Sequence, residues 1–583
     1  MRVSALALSL VVVLPGASFA AWPSDPLQNV PVCTANAYQG PPYLVTDGSG
    51  GAILVWADKR NAPSGQNNFF SIYAQRVDDN AFSRWAVDGS PVLASINDVA
   101  LDAACSDGSG GAYVAWLRNS ITGGTICMQH ISANGVPSWG ANGLDIGASA
   151  VTGLGTGLAV VVVPDAATGV LAVWRSREGA DSYGIRAQHL DANGTSGWGP
   201  SGVLVRSAGP VVPQTPLAVA DGQGGVLASW VQSGSGGTVS EIRSQHVGSS
   251  GAIAMDPLGL VLASGPNMYR LASATDGAHG AVVAWSVRES ASLSCVRAQR
   301  VAPDGQMLWP LPGLLLGTNT FTTPNYILAC PSLTGDVIVA WKQADLSEVP
   351  TRIQAQRVDP TGTPQWPDGG VTVSRPTVVD LFSIVMCSDG SGGAILGYED
   401  QAGSPPEGIY EYDLAAARVT GEGDAPWGPY GVTISNAHGP QEFPEITADG
   451  TGGAIIGWRD ERWGAPQAPD VYAQNIHADG TMGGGIAGVG PDATLSWARV
   501  WPQPSRSHVD LAFSSPGGFA AVTILDPQGR RVRELLRTTV PAGETRLRWD
   551  GLDDSGAPAR AGLYFAAIAT GGREIVRKIV LEH

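Results

Sequence analysis

The sequence repeats itself along most of its length. Eight times a short apolar run ends on an aromatic residue, and successive aromatic residues lie 55 to 60 positions apart. These landmarks are Trp56, Trp116, Trp174, Trp230, Trp285, Trp341, Tyr398 and Trp458. Eight units at such a period indicate a β-propeller or an open array, in which neighbouring units bury each other's apolar faces.

Each unit has the same internal order. A short apolar strand leads into a glycine-rich turn such as Asp47–Gly51, which is typical of a hairpin. The second strand ends at the landmark, and the third alternates apolar and polar residues, as in Ile72–Val77. A further turn, such as Gly194–Trp198, brings a second tryptophan and a fourth strand. Four antiparallel strands per unit are typical of one propeller blade.

The two ends of the repeat region differ from the other units. The eighth unit has a third strand, Val471–Ile476, but neither a second tryptophan nor a clear fourth strand follows it. Near the N-terminus, Trp22 and Val30–Val32 carry the missing pattern at the expected distance before Trp56. We therefore predict an all-β fold, an eight-bladed β-propeller over residues 21–482, whose N-terminal strand closes the last blade and removes exposed strand edges.

The first twenty residues have the pattern of a signal peptide. A basic start is followed by the apolar run Val3–Leu14 and by small residues at Ser18 and Ala20, so we predict cleavage after Ala20. No later segment is long and apolar enough to span a membrane, and we expect a secreted or cell-surface protein. The net charge of −17 argues against a nucleic-acid partner, because phosphate binding needs a basic face.

A different pattern follows a glycine-rich linker at residues 483–490. Residues 491–583 contain five short apolar segments separated by turns, which predicts a small β-sandwich. The segments are Val509–Phe513, Ala521–Leu525, Thr545–Trp549, Gly562–Ala566 and Val576–Leu581.

A series of short motifs in this tail follows one order. They are Pro502–Pro504, Asp526–Arg530, Ala542–Gly543, Trp549–Gly551, Asp554–Gly556, Ala561–Tyr564 and Arg577–Leu581. In that order they resemble the Ig-like domain of flagellar hook-capping (FlgD-like) proteins and the C-terminal sorting domains of type IX secretion cargo. The resemblance implies a sorting or attachment role, with the secretion machinery as partner. The alternative is a plain accessory β-domain.

Most polar residues of the repeats have a structural interpretation. His130, His189 and His246 occupy one repeat position that arginine fills in other units, so we expect no metal or catalytic role. The glutamine beside that position should bond to backbone or to a neighbouring blade. Each Asp-Gly turn offers a single carboxylate, too few for calcium, and we expect no cofactor. The six cysteines should be small buried residues: Cys33, Cys105, Cys127, Cys295, Cys330 and Cys387.

Charged loops break the repeat symmetry in three units. In a closed ring these units would be neighbours, and loops on a rigid scaffold commonly carry binding function. The predicted ligand-binding residues are Asp58, Lys59, Arg60, Glu399, Asp400, Asp460, Glu461, Arg462 and Trp463. The alternative is solvated loop charge with a local Asp–Arg pair.

The sequence therefore predicts a binding or adhesion module whose extracellular ligand is a glycan or a protein. Two alternatives stay open, a sialidase-like glycoside hydrolase and a structural surface protein. The Gly-x-x-x-Trp turns, such as Gly194–Trp198, resemble the Asp-box of sialidase-like propellers but have one more residue before tryptophan. Because no arginine cluster or Tyr–Glu nucleophile pair is singled out by its spacing, we expect binding rather than catalysis.

Overall fold

The computed structural model describes most of the chain. The described residues are 22–63, 69–97, 99–120, 123–150, 159–165, 169–233, 239–265, 268–290, 293–320, 326–345, 348–374, 383–401, 412–462, 468–483, 498–501, 505, 508–526, 530–570 and 573–582. Residue contacts divide the chain into two compact units, Ala21–Gly484 and a C-terminal unit that begins at Gly485. Within the described residues the secondary structure is almost entirely antiparallel β, with one 3-10 turn at Leu333–Gly335.

The described residues of the first unit form eight groups of four antiparallel strands, called sheets 1 to 8. Sheet 1 comprises β2 (Tyr43–Thr46), β3 (Ala52–Asp58), β4 (Phe70–Val77) and β5 (Ser90–Asn97), and sheet 2 comprises β6 (Val99–Ser106), β7 (Ala112–Ser120), β8 (Gly123–Ile131) and β9 (Leu144–Ser149). Sheet 3 comprises β10 (Val160–Pro164), β11 (Val170–Gly179), β12 (Ser182–Leu190) and β13 (Val203–Gly209), and sheet 4 comprises β14 (Leu217–Ala220), β15 (Val226–Ser233), β16 (Ser240–Val247) and β17 (Leu260–Gly265).

Sheets 5 to 8 continue the pattern, and the last of them takes β1 from the N-terminus. Sheet 5 comprises β18 (Met268–Thr275), β19 (Ala281–Ser290), β20 (Leu293–Val301) and β21 (Leu314–Thr320), and sheet 6 comprises β22 (Ile327–Pro331), β23 (Val337–Asp345), β24 (Glu348–Val358) and β25 (Val371–Ser374). Sheet 7 comprises β26 (Ile384–Ser388), β27 (Ala394–Gln401), β28 (Tyr412–Val419) and β29 (Val432–Ser435), and sheet 8 comprises β30 (Gln441–Ala448), β31 (Ala454–Asp460), β32 (Asp470–Ile476) and β1 (Val30–Cys33). A single pairing of Ser149 with Ser176 joins sheets 2 and 3.

The first strand of each sheet lies against the first strand of the next sheet. These contacts run in order from β2 to β30, and β30 in turn contacts β2. The second strands are buried on both faces; in β3, Ala52 to Trp56 have no exposed surface. Burial on both faces explains why these strands are continuous apolar runs rather than alternating ones.

One hydrogen-bonded turn recurs in the sheets. Asp47 Oδ1 accepts the backbone N–H groups of Ser49 and Gly51 at 2.7 and 2.8 Å, while its Oδ2 accepts from Arg76 Nε at 2.9 Å. In sheet 2, His130 Nε2 takes the arginine's place, 2.9 Å from Asp107 Oδ2. His189 and His246 bond equivalent aspartates, so all three histidines take part in the hydrogen bonding of these turns.

The predicted glutamine bonds are also present. Gln75 Nε2 donates to the carbonyl of Ala86 at 2.7 Å, and its Oε1 accepts from the backbone N–H of Trp85. All six cysteines are free. Five of them are buried and Cys387 is partly buried, which agrees with the expectation from the sequence.

In six of the sheets a second tryptophan connects the sheet to the following one. The Trp85 indole in sheet 1 donates to the carbonyl of Ala133 in sheet 2 at 2.9 Å. Equivalent bonds are made by Trp139, Trp198, Trp309, Trp366 and Trp427. In sheet 4, Met255 stands at this position.

The N-terminal segment supplies the fourth strand of sheet 8. In β1, Val30 pairs with Ala473 of β32 and Pro31 pairs with Tyr472. The Trp22 indole donates to the carbonyl of Asp79 in sheet 1 at 2.9 Å, as the other tryptophans do toward their next sheet. The predicted pairing of the N-terminus with the last unit is therefore confirmed.

The described residues of the C-terminal unit form one five-stranded sheet built around a long hairpin. Its strands are β33 (Ala498–Trp501), β34 (Val509–Leu525), β35 (Arg531–Trp549), β36 (Gly562–Thr570) and β37 (Arg573–Leu581), in the order β33-β34-β36-β37 with β35 also paired to β34. The two predicted segments Val509–Phe513 and Ala521–Leu525 belong to one strand. The prediction of a break was wrong because the partner strand β35 continues alongside and keeps the backbone groups paired.

The core of this unit surrounds the buried Trp549. Its ring meets Tyr564 edge-on at 5.2 Å between centroids, and the Tyr564 hydroxyl donates to the carbonyl of Arg560 at 2.7 Å. The motif Pro502–Pro504 lies outside the described residues, as does most of the linker at 483–490. No helix in the described parts of either unit is long and apolar enough to cross a membrane.

Candidate functional site

The charged loop of sheet 1 begins with a buried ion pair. Asp58 ends β3 and has no exposed surface. Its Oδ2 accepts from Trp56 Nε1 at 2.9 Å and from Arg60 Nη2 at 2.6 Å. The Arg60 guanidinium lies 3.9 Å from the ring centroid of Tyr73.

Sheet 8 repeats this arrangement at the end of β31. Asp460 is buried, and its Oδ2 accepts from Trp458 Nε1 at 2.7 Å and from Arg462 Nη2 at 2.6 Å. The Arg462 guanidinium lies 3.8 Å from the ring centroid of Tyr472. The neighbouring Asp470 is buried; burial, reinforced by the charge of Asp460, raises its pKa to about 7.

Both arginines also hold the N-terminal segment. Arg60 Nη2 lies 3.0 Å from Cys33 Sγ, and Arg462 Nη2 donates to Asn29 Oδ1 at 2.8 Å. Asn29 Nδ2 in turn donates to the carbonyl of Ile434 at 3.1 Å. We call the four residues of the two ion pairs the closure clamp: Asp58, Arg60, Asp460 and Arg462. Both buried carboxylates already pair with the arginines of the clamp. For these two residues the geometry therefore favours the alternative of a local Asp–Arg pair over ligand binding.

Lys59 points to a different group of side chains. Its ammonium lies 5.0 Å from the ring centroid of Tyr38 and 4.8 Å from that of Phe70. The two rings meet edge-on with centroids 6.3 Å apart. The Tyr38 hydroxyl accepts from Arg459 Nη1 at 3.2 Å, which connects the loop of sheet 1 with sheet 8.

Arg459 is the centre of this connection. Its guanidinium pairs with Glu442 and, at 3.2 Å, with Glu461. It also lies 4.8 Å from the ring centroid of Phe443. Aromatic faces attract cations, so one arginine links two acids and the ring of Phe443 with the hydroxyl of Tyr38.

Phe443 is unusual in both backbone and exposure. Its φ is 55°, a left-handed conformation that bulky residues rarely adopt, at a point where the pairing of β30 with β31 is irregular. The side chain is 45% exposed. Its backbone N–H donates to Glu399 Oε1 at 2.7 Å. Glu399 is buried, and burial raises its pKa to about 7.

These side chains form one group across sheets 1 and 8, which we call the seam patch. Its residues are Tyr38, Lys59, Phe70, Glu442, Phe443, Arg459 and Glu461. Of the predicted ligand-binding residues, Lys59 and Glu461 lie in the patch, and Glu399 supports Phe443 from below the surface. Asp400 is partly exposed at the end of β27, opposite Asp413. Trp463 lies outside the described residues.

Sequence reasoning missed five of the seven patch residues. Arg459 stands between two residues that the analysis did single out, Trp458 and Asp460. The aromatic residues Tyr38, Phe70 and Phe443 had no comparable signal, because only the packing of sheet 8 beside sheet 1 brings them together.

Two further carboxylates with raised pKa lie on first strands. Asp102 of β6 is buried and accepts from the backbone N–H of Ala159 at 3.3 Å; burial raises its pKa to about 7. Glu445 of β30 keeps some contact with solvent but is surrounded by protein, and this burial likewise raises its pKa to about 7. Burial also raises the pKa of Tyr43 on the intervening first strand, with both carboxylates adding to the shift.

The described surface also has a groove of about 500 Å³ away from the seam patch. It lies between sheets 2 and 3 and is lined by Thr125, Arg177 and Glu178 among others. None of the predicted site residues lines it. Among the residues that the structure describes, no three His, Cys, Asp or Glu side chains are grouped closely enough to hold a metal ion.

Comparison with protein families gives one match. Residues 499–572 match the FlgD Ig-like domain, which confirms that part of the resemblance, while the likeness to type IX sorting domains stays a prediction. The match lies in the C-terminal unit and includes none of sheets 1 to 8. A comparison with curated proteins finds no significant match.

Solved structures give only distant likenesses. Polysaccharide lyase Uly1 is 9% identical over 63% of this chain and 88% of its own, with a TM-score of 0.37. The Hadza microbial sialidase Hz136 is 11% identical over 62% and 63%, with a TM-score of 0.32. PorZ, a surface component of the type-IX secretion system of Porphyromonas gingivalis, is 10% identical over 95% and 100%, with a TM-score of 0.19. With TM-scores below 0.5, these likenesses carry no argument about this chain.

Proposed function

We propose that this chain is an exported binding module, an eight-bladed β-propeller that holds an extracellular ligand at its seam patch. Its domains would be a signal peptide at 1–20, the propeller at 21–482, a linker at 483–490 and an Ig-like sorting or accessory domain at 491–583. Three observations support the propeller: the first strands contact one another in a closed cycle, tryptophan bonds link successive sheets, and β1 completes sheet 8.

Phe443 is the observation that carries the binding proposal. A non-glycine residue in a sparsely populated backbone region costs on the order of 1–3 kcal/mol. Here that conformation leaves a large apolar ring 45% exposed. The hydrophobic burial of the ring therefore offsets little of the conformational cost. Strain of this kind persists where the surroundings enforce it and is common at ligand sites. Glu399 enforces it here, and a bound ligand would cover the ring.

The experiment is a binding assay with the purified chain 21–583. Labelled protein is applied to cells of the native host and to an array of glycans and extracellular proteins. We expect Phe443→Ala to weaken binding to whichever ligand the wild type retains. Tyr430→Ala is the matched control, because Tyr430 is 55% exposed in another sheet. Equal binding by wild type and Phe443→Ala would remove the seam patch from the proposal.

The same preparation separates binding from hydrolysis. Incubated with the glycans that it retains, the chain should leave them intact. Turnover that is lost in Glu461→Gln would instead identify a glycoside hydrolase.

The C-terminal unit supports a location outside the cell. Its match to the FlgD Ig-like domain and its position after the repeats suit a sorting or attachment domain. In this proposal the propeller meets the ligand, and the tail directs or fixes the protein at the surface through the secretion machinery.

A further inference from the structure

We propose that the ligand of the seam patch is an acidic saccharide, a sugar chain that carries carboxylate groups. This inference rests on the binding function proposed above and names its ligand class. Two properties of the patch support it: a cation that has no acidic partner among the described residues, and aromatic faces flanked by hydrogen-bonding groups.

Lys59 supplies the cation. The nearby arginine side chains already have carboxylate partners. Arg60 and Arg462 pair within the closure clamp, and Arg459 pairs with two glutamates. Among the described residues, the contacts of the Lys59 ammonium are to the rings of Tyr38 and Phe70, at 5.0 and 4.8 Å from the centroids. It is one of three lysines in the chain. An ammonium held over two rings gives an incoming carboxylate a fixed, uncommitted partner.

Aromatic rings supply the surface for the sugar. Tyr38 and Phe70 lie at sheet 1, and Phe443 lies in sheet 8. The hydrogen bond from Arg459 to the Tyr38 hydroxyl connects the two sheets at this point. The C–H faces of sugar rings pack against aromatic faces in the same way as other apolar surface. Sites for small ligands combine such faces with a few placed polar groups.

The polar groups of the patch suit a ligand rich in hydroxyls. Glu442 and Glu461 carry acceptor oxygens, and the hydroxyl of Tyr38 both donates and accepts. A polyphosphate ligand would need several free cations, whereas the patch offers one. The net charge of −17 also disfavours densely charged anions. A carboxylate spaced along a sugar chain therefore fits the single cation best.

Calorimetric titration of the chain 21–583 tests this inference. The probes are tetragalacturonate, a hyaluronan tetrasaccharide and 3′-sialyllactose, each paired with its carboxyl-reduced form. We expect at least one acidic saccharide to bind, and its reduced form to bind about tenfold more weakly or worse, which corresponds to one charge-assisted contact. Lys59→Met should show the same loss, Lys59→Arg should bind nearly as wild type, and Lys578→Met, which removes one exposed charge in the C-terminal unit, should have no effect.

Several outcomes would overturn the ligand class. One is equal binding of the acidic and reduced forms, and another is wild-type affinity in Lys59→Met. A third is no binding of any of the six saccharides while cell binding still depends on Phe443. The first two outcomes leave the binding function to its own test, the Phe443→Ala assay, and in the third outcome that function stands. The binding function fails only when Phe443→Ala binds as the wild type does both in the cell and array assay and in the calorimetric titration.

Discussion

At the scale of single residues, the same four side-chain types serve sheet 1 and sheet 8. Tryptophan, aspartate, arginine and tyrosine form a buried ion pair in each sheet, and both arginines reach the N-terminal segment. A buried ion pair adds little net stability as a whole, but removing one partner leaves an uncompensated charge. The closure clamp is therefore sensitive to change on either side.

Arg462→Met should destabilise the first unit strongly. Asp460 would remain buried with its main partner lost, and breaking such a pair costs about 3–5 kcal/mol. The free energy of unfolding, measured by denaturant titration, should fall by an amount in that range. Arg84→Met is the control, because Arg84 is 57% exposed and pairs loosely with Asp78 at 3.6 Å. A similar, small effect of both variants would show that the clamp does not hold the fold.

Stability should also depend on pH through the buried carboxylates. The pKa of Asp470 is about 7 in the folded protein and near 3.8 when the group is unperturbed. The folded state therefore binds the proton more tightly, and this group's contribution makes stability fall as pH rises from about 4 to about 7. Asp102, Glu399 and Glu445 act in the same direction.

Asp470→Asn isolates the contribution of one group. The variant should lose less stability than wild type between pH 4 and pH 7, because the amide does not ionise. Unfolding free energies measured across this range in both proteins give the comparison. Parallel curves would mean that Asp470 keeps an ordinary pKa in the folded state.

At the scale of strands and turns, β1 is the element with the largest predicted effect. Without it, β32 would expose a row of unpaired backbone groups at the edge of sheet 8. The Trp22 bond and both clamp contacts to residues 29–33 would be lost as well. A chain that starts at Thr34 should melt at a lower temperature than one that starts at Ala21, and should associate more readily. Thermal scans and light scattering measure both effects; identical melting would contradict closure by this strand.

Much of the strand pattern follows from local sequence. The second strands were predictable because burial on both faces gives unbroken apolar runs, and β1 was predictable because Trp22 preserves the repeat spacing. The join within β34 was not, since Ser514–Phe519 has the proline and glycines of a turn and only the length of β35 keeps it in the sheet. The aromatic side of the seam patch depends on which sheets are neighbours, so residues such as Phe443 were missed.

At the scale of the whole molecule, the chain separates into two compact units. Deleting residues 491–583 should leave the melting temperature of the first unit nearly unchanged, because its cores are built from its own sheets. In the native host, the truncated protein should lose surface display. Cell fractionation with surface labelling measures this loss. Unchanged display would refute a sorting role and leave an accessory domain.

The contact between the two ends of the first unit means that its strands could be encoded in a circularly permuted order. A Cβ placed on Gly483 would lie only 3.0 Å from the Cβ of Ser24, and Asn475 donates to the carbonyl of the same glycine at 3.4 Å. A short peptide could therefore join residue 483 to residue 22, and new ends could be opened where the chain passes from sheet 4 to sheet 5, since Met255 replaces the bridging tryptophan of sheet 4. A circularly permuted gene, running from sheet 5 through sheet 8 and on to sheet 4, should then encode the same fold.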